Sequence, residues 1–155
     1  MFTITIAAVG RKSDARISSL CDEYEKRLQH ECRIVWKIIE PETGKMSRQE
    51  QKDRESQKVM RYVTDDDVVI LLDEKGQLYD NQELAGLLGE LRQNTGSVTI
   101  IIGGAFGVSE KLAQRANYIW SLSRLVFPHE LVRLLLVEQL YRSLSILHGG
   151  NYHHE

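Results

Sequence analysis

The stretch Val98-Thr-Ile-Ile-Ile-Gly-Gly-Ala-Phe-Gly107 indicates the kind of fold more clearly than any other part of the chain. Residues 98–102 are apolar or β-branched, which is typical of a strand buried on both faces of a parallel sheet. Glycines at 103, 104 and 107 follow at once, before a short helix that begins near Ser109. Such glycines let a ligand approach the backbone, or simply make a tight turn. Taken alone, the stretch leaves both interpretations open.

The residues around these glycines, and their position in the chain, exclude two common nucleotide-binding motifs. No Gly-Lys-Ser/Thr follows them, so the turn is not a phosphate-binding P-loop. The dinucleotide fingerprint belongs after the first strand of such a fold, where the chain offers Gly10 alone. A nucleotide-dependent oxidoreductase is therefore a weaker alternative, which titration with NADH would test.

Strand and helix patterns alternate on both sides of this stretch. The predicted strands are residues 3–9, 33–39, 67–72, 98–102 and 118–122. The predicted helices are residues 14–28, 47 to about 62, 81–92, a short one from Ser109, and 128 to about 147. Ser13 is predicted to cap the first helix, and Ser47 with Glu50 to form a capping box at the second. The second helix is polar and is expected to pack lightly. This order predicts a single α/β domain over residues 1–155, with a mainly parallel sheet flanked by helices. In such sheets ligands bind at the carboxyl ends of the strands.

Bulk composition is that of an ordinary soluble domain. Of the 155 residues 42% are hydrophobic and 27% are charged, and the net charge is −2. The chain lacks the basic excess of a free-standing nucleic-acid binder, so RNA binding would need a local patch or one assembled from two subunits. Two cysteines, no signal-like start and no apolar run of ~20 residues predict a cytoplasmic protein with reduced thiols and no membrane segment.

Side chains that could bind a ligand or transfer a proton cluster in the last third of the chain. The segment 121–129 lacks a clean helix or strand period and ends at Pro128 and His129. It is either a buried connection or a ligand contact. His129 is either a helix-end residue or a base. Arg142 either pairs with Glu138 four residues earlier or meets a phosphate or a second subunit.

The terminal sequence Asn151-Tyr-His-His-Glu155 also permits two interpretations. It is either a frayed tail or a set of side chains suited to stacking on a base and handling a proton. His148, His153 and His154 lack the spacing and partners of a zinc site, so no metal is expected.

Four motifs in order closely resemble the ribosomal RNA large-subunit methyltransferase H family, the small single-domain branch of the SPOUT methyltransferases. They are Ile-Ile-Gly-Gly-x-x-Gly, Ser-Leu-Ser-x-Leu-x-Phe-Pro-His, Leu-Val-Arg-x-Leu-x-x-Glu-Gln-Leu-Tyr-Arg, and Tyr-His near the terminus. The resemblance covers the whole chain and is densest from Gly103 to His153. At position 154 this chain carries His, where some members of the family carry Arg.

The resemblance implies more than the residue patterns do. It implies a C-terminal trefoil knot (the α/β-knot of SPOUT proteins), which general topology rules would disfavour. It implies S-adenosylmethionine as cofactor, a homodimer with an active site completed across the interface, and methylation of N3 of a pseudouridine in large-subunit ribosomal RNA on the assembled ribosome. The implied cofactor-binding residues are Leu72, Gly103, Leu122, Ser123, Arg124, Leu125, Val126 and Phe127.

The remaining candidates are assigned to RNA contact or proton transfer. They are His129, Arg133, Arg142, Tyr152 and His153. The alternative from a different functional class is a non-catalytic dimeric module that binds the ribosome, which would co-sediment with ribosomes without incorporating methyl groups.

Overall fold

In the computed structural model of the protein, which describes residues 1–150, strands and helices alternate along the chain. The strands are β1 (Phe2–Val9), β2 (Cys32–Ile39), β3 (Val69–Leu78), β4 (Ser97–Ile102) and β5 (Tyr118–Ser121). The helices are α1 (Ala15–Leu28), α2 (Arg48–Met60), α3 (Asn81–Asn94), α4 (Glu110–Arg115) and α5 (His129–Leu147). Of the described residues, 1–150, no helix is long and apolar enough to cross a membrane.

The strands form one sheet in the order β2-β1-β4-β3-β5, and every neighbouring pair is parallel. Ala8 on β1 pairs with Ile102 on β4, and Ile102 pairs with Leu72 on β3. The strands β1 and β4 therefore end side by side, next to the point where β3 stops pairing with β4. The predicted α/β class with a parallel sheet is confirmed. The trefoil knot stays a prediction.

Both faces of the sheet are buried, as the apolar character of residues 98–102 predicts. Ile100 and Ile102 face one core with apolar residues of α1, α3 and α5, including the fully buried Leu136 and Leu140. Ile101 faces a second, smaller core with Val59 of α2 and Leu112 of α4. Alternate side chains of β4 therefore enter different cores, which explains why the strand has no polar face.

The strand β3 is longer than predicted. The charged residues 73–75 with Gly76 were expected to end it, but pairing with β5 resumes beyond them, and Trp120 pairs with both Leu72 and Gln77. The register shift between those two residues is an irregularity of the bulge type. Its consequence is that residues 73–75 are held beside the carboxyl end of the sheet instead of leaving it.

Helix caps differ from the predictions in two places, the N-cap of α1 and the position of the capping box. The N-cap of α1 is Asp14, whose carboxylate accepts from the Arg16 N–H at 2.9 Å, whereas the hydroxyl of Ser13 accepts from Arg133. Ser47 caps α2 as predicted, its hydroxyl accepting from the Glu50 N–H at 3.1 Å. The capping box with both of its hydrogen bonds lies at α3 instead, between Asp80 and Glu83.

Candidate active site

A cleft of about 830 Å³ opens at the carboxyl ends of β1 and β4 and beside Leu72 of β3, where the pairing of β3 with β4 ends. Val9, Ile102 and Leu72 supply its floor from those three strands. The glycine turn 103–107 lies on one side and the segment 122–127 on another. The cleft is thus where the parallel sheet predicts a ligand site.

Most of the predicted cofactor-binding residues line this single cleft. They are Leu72, Gly103, Leu122, Ser123, Leu125, Val126 and Phe127. Arg124 is exposed and is absent from the lining. The structure therefore brings together residues as far apart in the sequence as Leu72 and Phe127.

The glycine turn is shaped by close packing as well as by the open cleft. The Gly107 N–H donates to the Gly104 carbonyl at 3.0 Å, and Gly107 has φ 82°, in the left-handed region that favours glycine. A Cβ on Gly103 would lie 2.9 Å from Val108 Cγ1. Geometry alone therefore requires glycine here, while the same turn also borders the cleft.

The segment 122–127 is an irregular connection between β5 and α5. Ser121 Oγ donates to the Ser123 carbonyl at 2.9 Å, and the Leu125 N–H donates to Ser123 Oγ at 3.0 Å. Its two central apolar side chains point outward, with Leu125 71% and Val126 80% exposed. The interpretation of this segment as a buried connection is wrong for these two residues, and their apolar surface is available for a ligand or a second subunit.

His129 begins α5 and lines the cleft. Its ring is half-buried and its Nε2 atom has no hydrogen-bond partner among the described residues. Burial, with a smaller contribution from the positive charge of Arg133, lowers the pKa of His129 to about 4. The imidazole is therefore neutral at pH 7, and its unpartnered Nε2 atom is buried.

Arg133 lies one helical turn further on and is 4% exposed. Its Nη1 donates to Ser13 Oγ at 2.9 Å, while Nε and Nη2 have no partner in residues 1–150. Burial lowers the pKa of this guanidinium from its usual value. The side chain lies behind the cleft instead of lining it, against Gly10 and His129.

Arg142 lies away from the cleft, in the second half of α5. Its Nε donates to Glu138 Oε1 at 3.0 Å, and the two side chains are 25% and 15% exposed. The expected pairing at a spacing of four residues is present, but it is half-buried instead of solvated. Tyr152 and His153 lie outside the described residues.

Helix α2 contributes a cleft residue that sequence reasoning missed. The helix was predicted to pack lightly, yet Glu55 and Ser56 are buried beside Val59. Glu55 lines the cleft. A signal was present in the sequence, because Val59 is an apolar residue four positions after Glu55 and marks the same helix face as buried.

Metal ligands do not assemble in the part of the chain that the structure describes. Within residues 1–150 no group of three or more His, Cys, Asp or Glu is placed to hold an ion. Cys21 and Cys32 are buried free thiols, and burial raises the pKa of each to about 11. Thiols of this kind are poor nucleophiles at neutral pH.

The parallel sheet and the cleft beside its glycine turn define a class of α/β proteins that bind a small ligand at the carboxyl ends of the strands. A match to the family described as Predicted SPOUT methyltransferase spans residues 2–153. A solved structure from Haemophilus influenzae Rd KW20, titled a probable methylase family protein, aligns with a TM-score of 0.52 at 12% identity, covering 98% of this chain and 70% of that one. This last likeness bears on the fold alone.

Curated relatives match along almost the whole chain. Proteins named Ribosomal RNA large subunit methyltransferase H are 38% identical in Desulfitobacterium hafniense, with 99% of each chain covered, and 35% identical in Clostridium kluyveri, with 97% of this chain and 98% of the relative covered. The chain belongs to this methyltransferase H family, within the SPOUT methyltransferases.

Proposed function

We propose that the protein is an S-adenosylmethionine-dependent methyltransferase that methylates N3 of a pseudouridine in large-subunit ribosomal RNA. The observation that carries the proposal is the cleft. The residues assigned to the cofactor from the resemblance, except Arg124, line it from β3, from the turn after β4 and from the segment 122–127. The names of the curated relatives support ribosomal RNA as the substrate class.

The residues around the cleft fit a cofactor that has both apolar and polar parts. Leu72, Leu122 and Val126 offer apolar surface, and the turn at Gly103 lets backbone come close. A buried carboxylate oxygen of Glu55 lacks a partner there. S-adenosylmethionine supplies an already activated methyl group on a sulfonium, so the protein mainly has to align donor and acceptor.

The protein's own contribution to the chemistry is to position the pseudouridine and to help its N3 lose a proton. The N3–H bond of the pseudouridine would break and its proton would leave to an acceptor. The N3–methyl bond would form as the S–methyl bond of the sulfonium breaks, and S-adenosylhomocysteine would leave. His129 is our candidate acceptor or relay, because its ring is neutral at pH 7 and Nε2 is unpartnered. A ring with so low a pKa holds a proton only briefly, so we propose that the proton passes on to solvent.

We propose that Arg133 and Arg142 contribute positive charge toward RNA phosphate or toward a developing negative charge on the nucleobase. Arg133 Nη2 and Nε are unpartnered behind His129. Arg142 is held by Glu138. We propose that Tyr152 and His153 complete the site, and that a second subunit brings the tail of one protomer to the cleft of the other. The substrate proposed is the assembled ribosome in the cytoplasm, since a net charge of −2 favours recognition by shape over bulk charge.

Two measurements test the proposal. Calorimetry is expected to show one cofactor bound per chain, and ribosomes lacking the modification are expected to accept labelled methyl groups, recovered as N3-methylpseudouridine in digested ribosomal RNA. Naked RNA is expected to be a poor substrate. Absence of cofactor binding in several buffers would overturn the proposal. Co-sedimentation with ribosomes without methyl incorporation would favour the non-catalytic module instead.

A further inference from the structure

Glu55 is a charged residue buried at the cleft with half of its carboxyl group unused. The side chain is 1% exposed and Oε1 has no hydrogen-bond partner among residues 1–150. Oε2, by contrast, accepts from the Glu42 N–H at 3.0 Å and from Gln51 Nε2 at 3.4 Å. A buried carboxylate oxygen without a donor is unfavourable, because it has lost water and gained nothing in return.

The unused oxygen faces the glycine turn. A Cβ on Gly104 would lie 2.5 Å from Glu55 Oε1, so the carboxylate occupies the space that a side chain at 104 would take. Val9 Cγ1 lies at 3.2 Å from the same point. Oε1 is thus set between the end of β1 and the turn after β4, at the floor of the cleft.

Helix α2 contacts the glycine turn at two points and the start of α4 at a third. The Arg48 guanidinium lies 5.1 Å from the centre of the Phe106 ring, Glu55 meets Gly104, and Ser56 Oγ accepts from the Ser109 N–H at 2.8 Å. The position of Glu55 is therefore fixed from both sides of the turn. Fixed placement of a charged acceptor is what a binding site requires.

We propose that Glu55 is a cofactor-binding residue, whose Oε1 accepts a hydrogen bond from an N–H or O–H donor of the methyl donor in the cleft. This inference rests on the proposed function. The methyl donor has three such groups: the adenine amino group, the α-ammonium of its methionine part and the hydroxyls of its ribose. The proposal is confined to the last two, because the ammonium is charged and the two ribose hydroxyls can share one carboxylate. Oε1 has almost no surface open to solvent in this structure, so the donor reaches it through a small rotation of the carboxyl group or a shift of the turn 103–107.

The test measures cofactor affinity of Glu55→Gln by calorimetry, with S-adenosylhomocysteine and S-adenosylmethionine as ligands. The variant keeps size and shape but loses the charge, and removal of one charge-assisted hydrogen bond is expected to weaken binding about tenfold or more. Glu50→Gln is the matched control, because it removes the same charge from an exposed position on the same helix. The control is expected to bind as the unchanged protein does.

Ligands that lack one part of the methyl donor show which of its groups donates to Glu55, and they distinguish this contact from a purely structural role of Glu55. If Glu55 binds the ammonium, 5′-methylthioadenosine, which lacks the amino-acid part, loses no affinity in Glu55→Gln. If it binds a ribose hydroxyl, the 2′-deoxy or 3′-deoxy ligand shows no loss while 5′-methylthioadenosine does. Either pattern supports the inference. An equal loss for every ligand, or no loss for any, overturns it. Failure of the unchanged protein to bind S-adenosylmethionine would instead remove the proposed function itself.

Discussion

Gly10 shows at the scale of one residue how closely β1 approaches the start of α5. A Cβ there would lie 2.7 Å from Arg133 Nη2 and 2.8 Å from His129 Cε1. We expect Gly10→Ala to lower the free energy of unfolding by about 1 kcal/mol, since the arginine tip can move aside but the ring has less freedom. Methyl transfer is expected to fall as well, because the ring of His129 is displaced.

Gly86→Ala is the matched control for that substitution. Gly86 lies inside α3 with nothing within 4 Å of an added Cβ. An alanine in a helix interior is expected to raise the free energy of unfolding by about 0.5–1 kcal/mol. Urea denaturation of both variants measures the difference. Equal stability of Gly10→Ala and the unchanged protein would contradict the predicted contact.

The low pKa of His129 predicts a pH dependence of stability. Burial keeps the folded pKa, about 4, below the ordinary value of 6.5, so the unfolded chain binds the proton more readily. The stabilising contribution of the neutral ring is complete above pH 6.5 and is lost as the pH falls from there toward 4. Urea midpoints between pH 7 and 5 are expected to fall less in His129→Gln than in the unchanged protein. A parallel fall in both would contradict the pKa shift.

Single residues also show where sequence reasoning stopped. Segment 98–107 predicted a buried strand and a glycine turn, because both depend on local residue type. Ser13 pairs with Arg133, which lies 120 positions further along the chain. Glu55 is buried against Gly104, a residue of a distant turn. Helical periodicity marks a face as buried but does not say what lies against it.

Elements depend on their neighbours in the same way. Residues 73–75 are charged, which predicts the end of a strand, yet β3 continues to Leu78 because β5 pairs with it beyond the irregularity. Strand propensity is readily overridden by pairing with a neighbour. The bounds of the helices were predicted more closely, because apolar spacing and the polar residues at helix starts are local signals, although the N-cap of α1 is Asp14 instead of Ser13.

Gly76 tests the pairing of β3 with β5. An added Cβ would lie 2.6 Å from the Ile119 carbonyl oxygen, which is backbone and has little room to move. Gly76→Ala is therefore expected to lower the free energy of unfolding by about 1–3 kcal/mol. It is also expected to weaken cofactor binding, since residues 73–75 border the cleft. Calorimetry and urea denaturation measure the two effects, and an unchanged midpoint would contradict the close approach.

At the scale of the whole molecule, cofactor and substrate sites are expected to be separable. Of residues 1–150, those that line the cleft lie between Val9 and Val132, whereas Tyr152 and His153 belong to the tail. Deletion of residues 152–155 is expected to leave S-adenosylmethionine affinity within about twofold and to abolish methyl transfer to ribosomes. Calorimetry and labelled methyl incorporation are the two measurements. Loss of both properties together would assign the tail a structural role.

The strand order has a consequence for the chain while it is being synthesised. β4 lies between β1 and β3, although it is made after both of them. Until residues 97–102 have emerged, β3 has no β4 to join and the inner edge of β1 is open. Unpaired apolar edges of this kind favour aggregation of incomplete chains. A nascent chain whose emerged part ends near Asn94 is therefore expected to recruit chaperones, and one whose emerged part extends beyond Ser121 is expected to need them less.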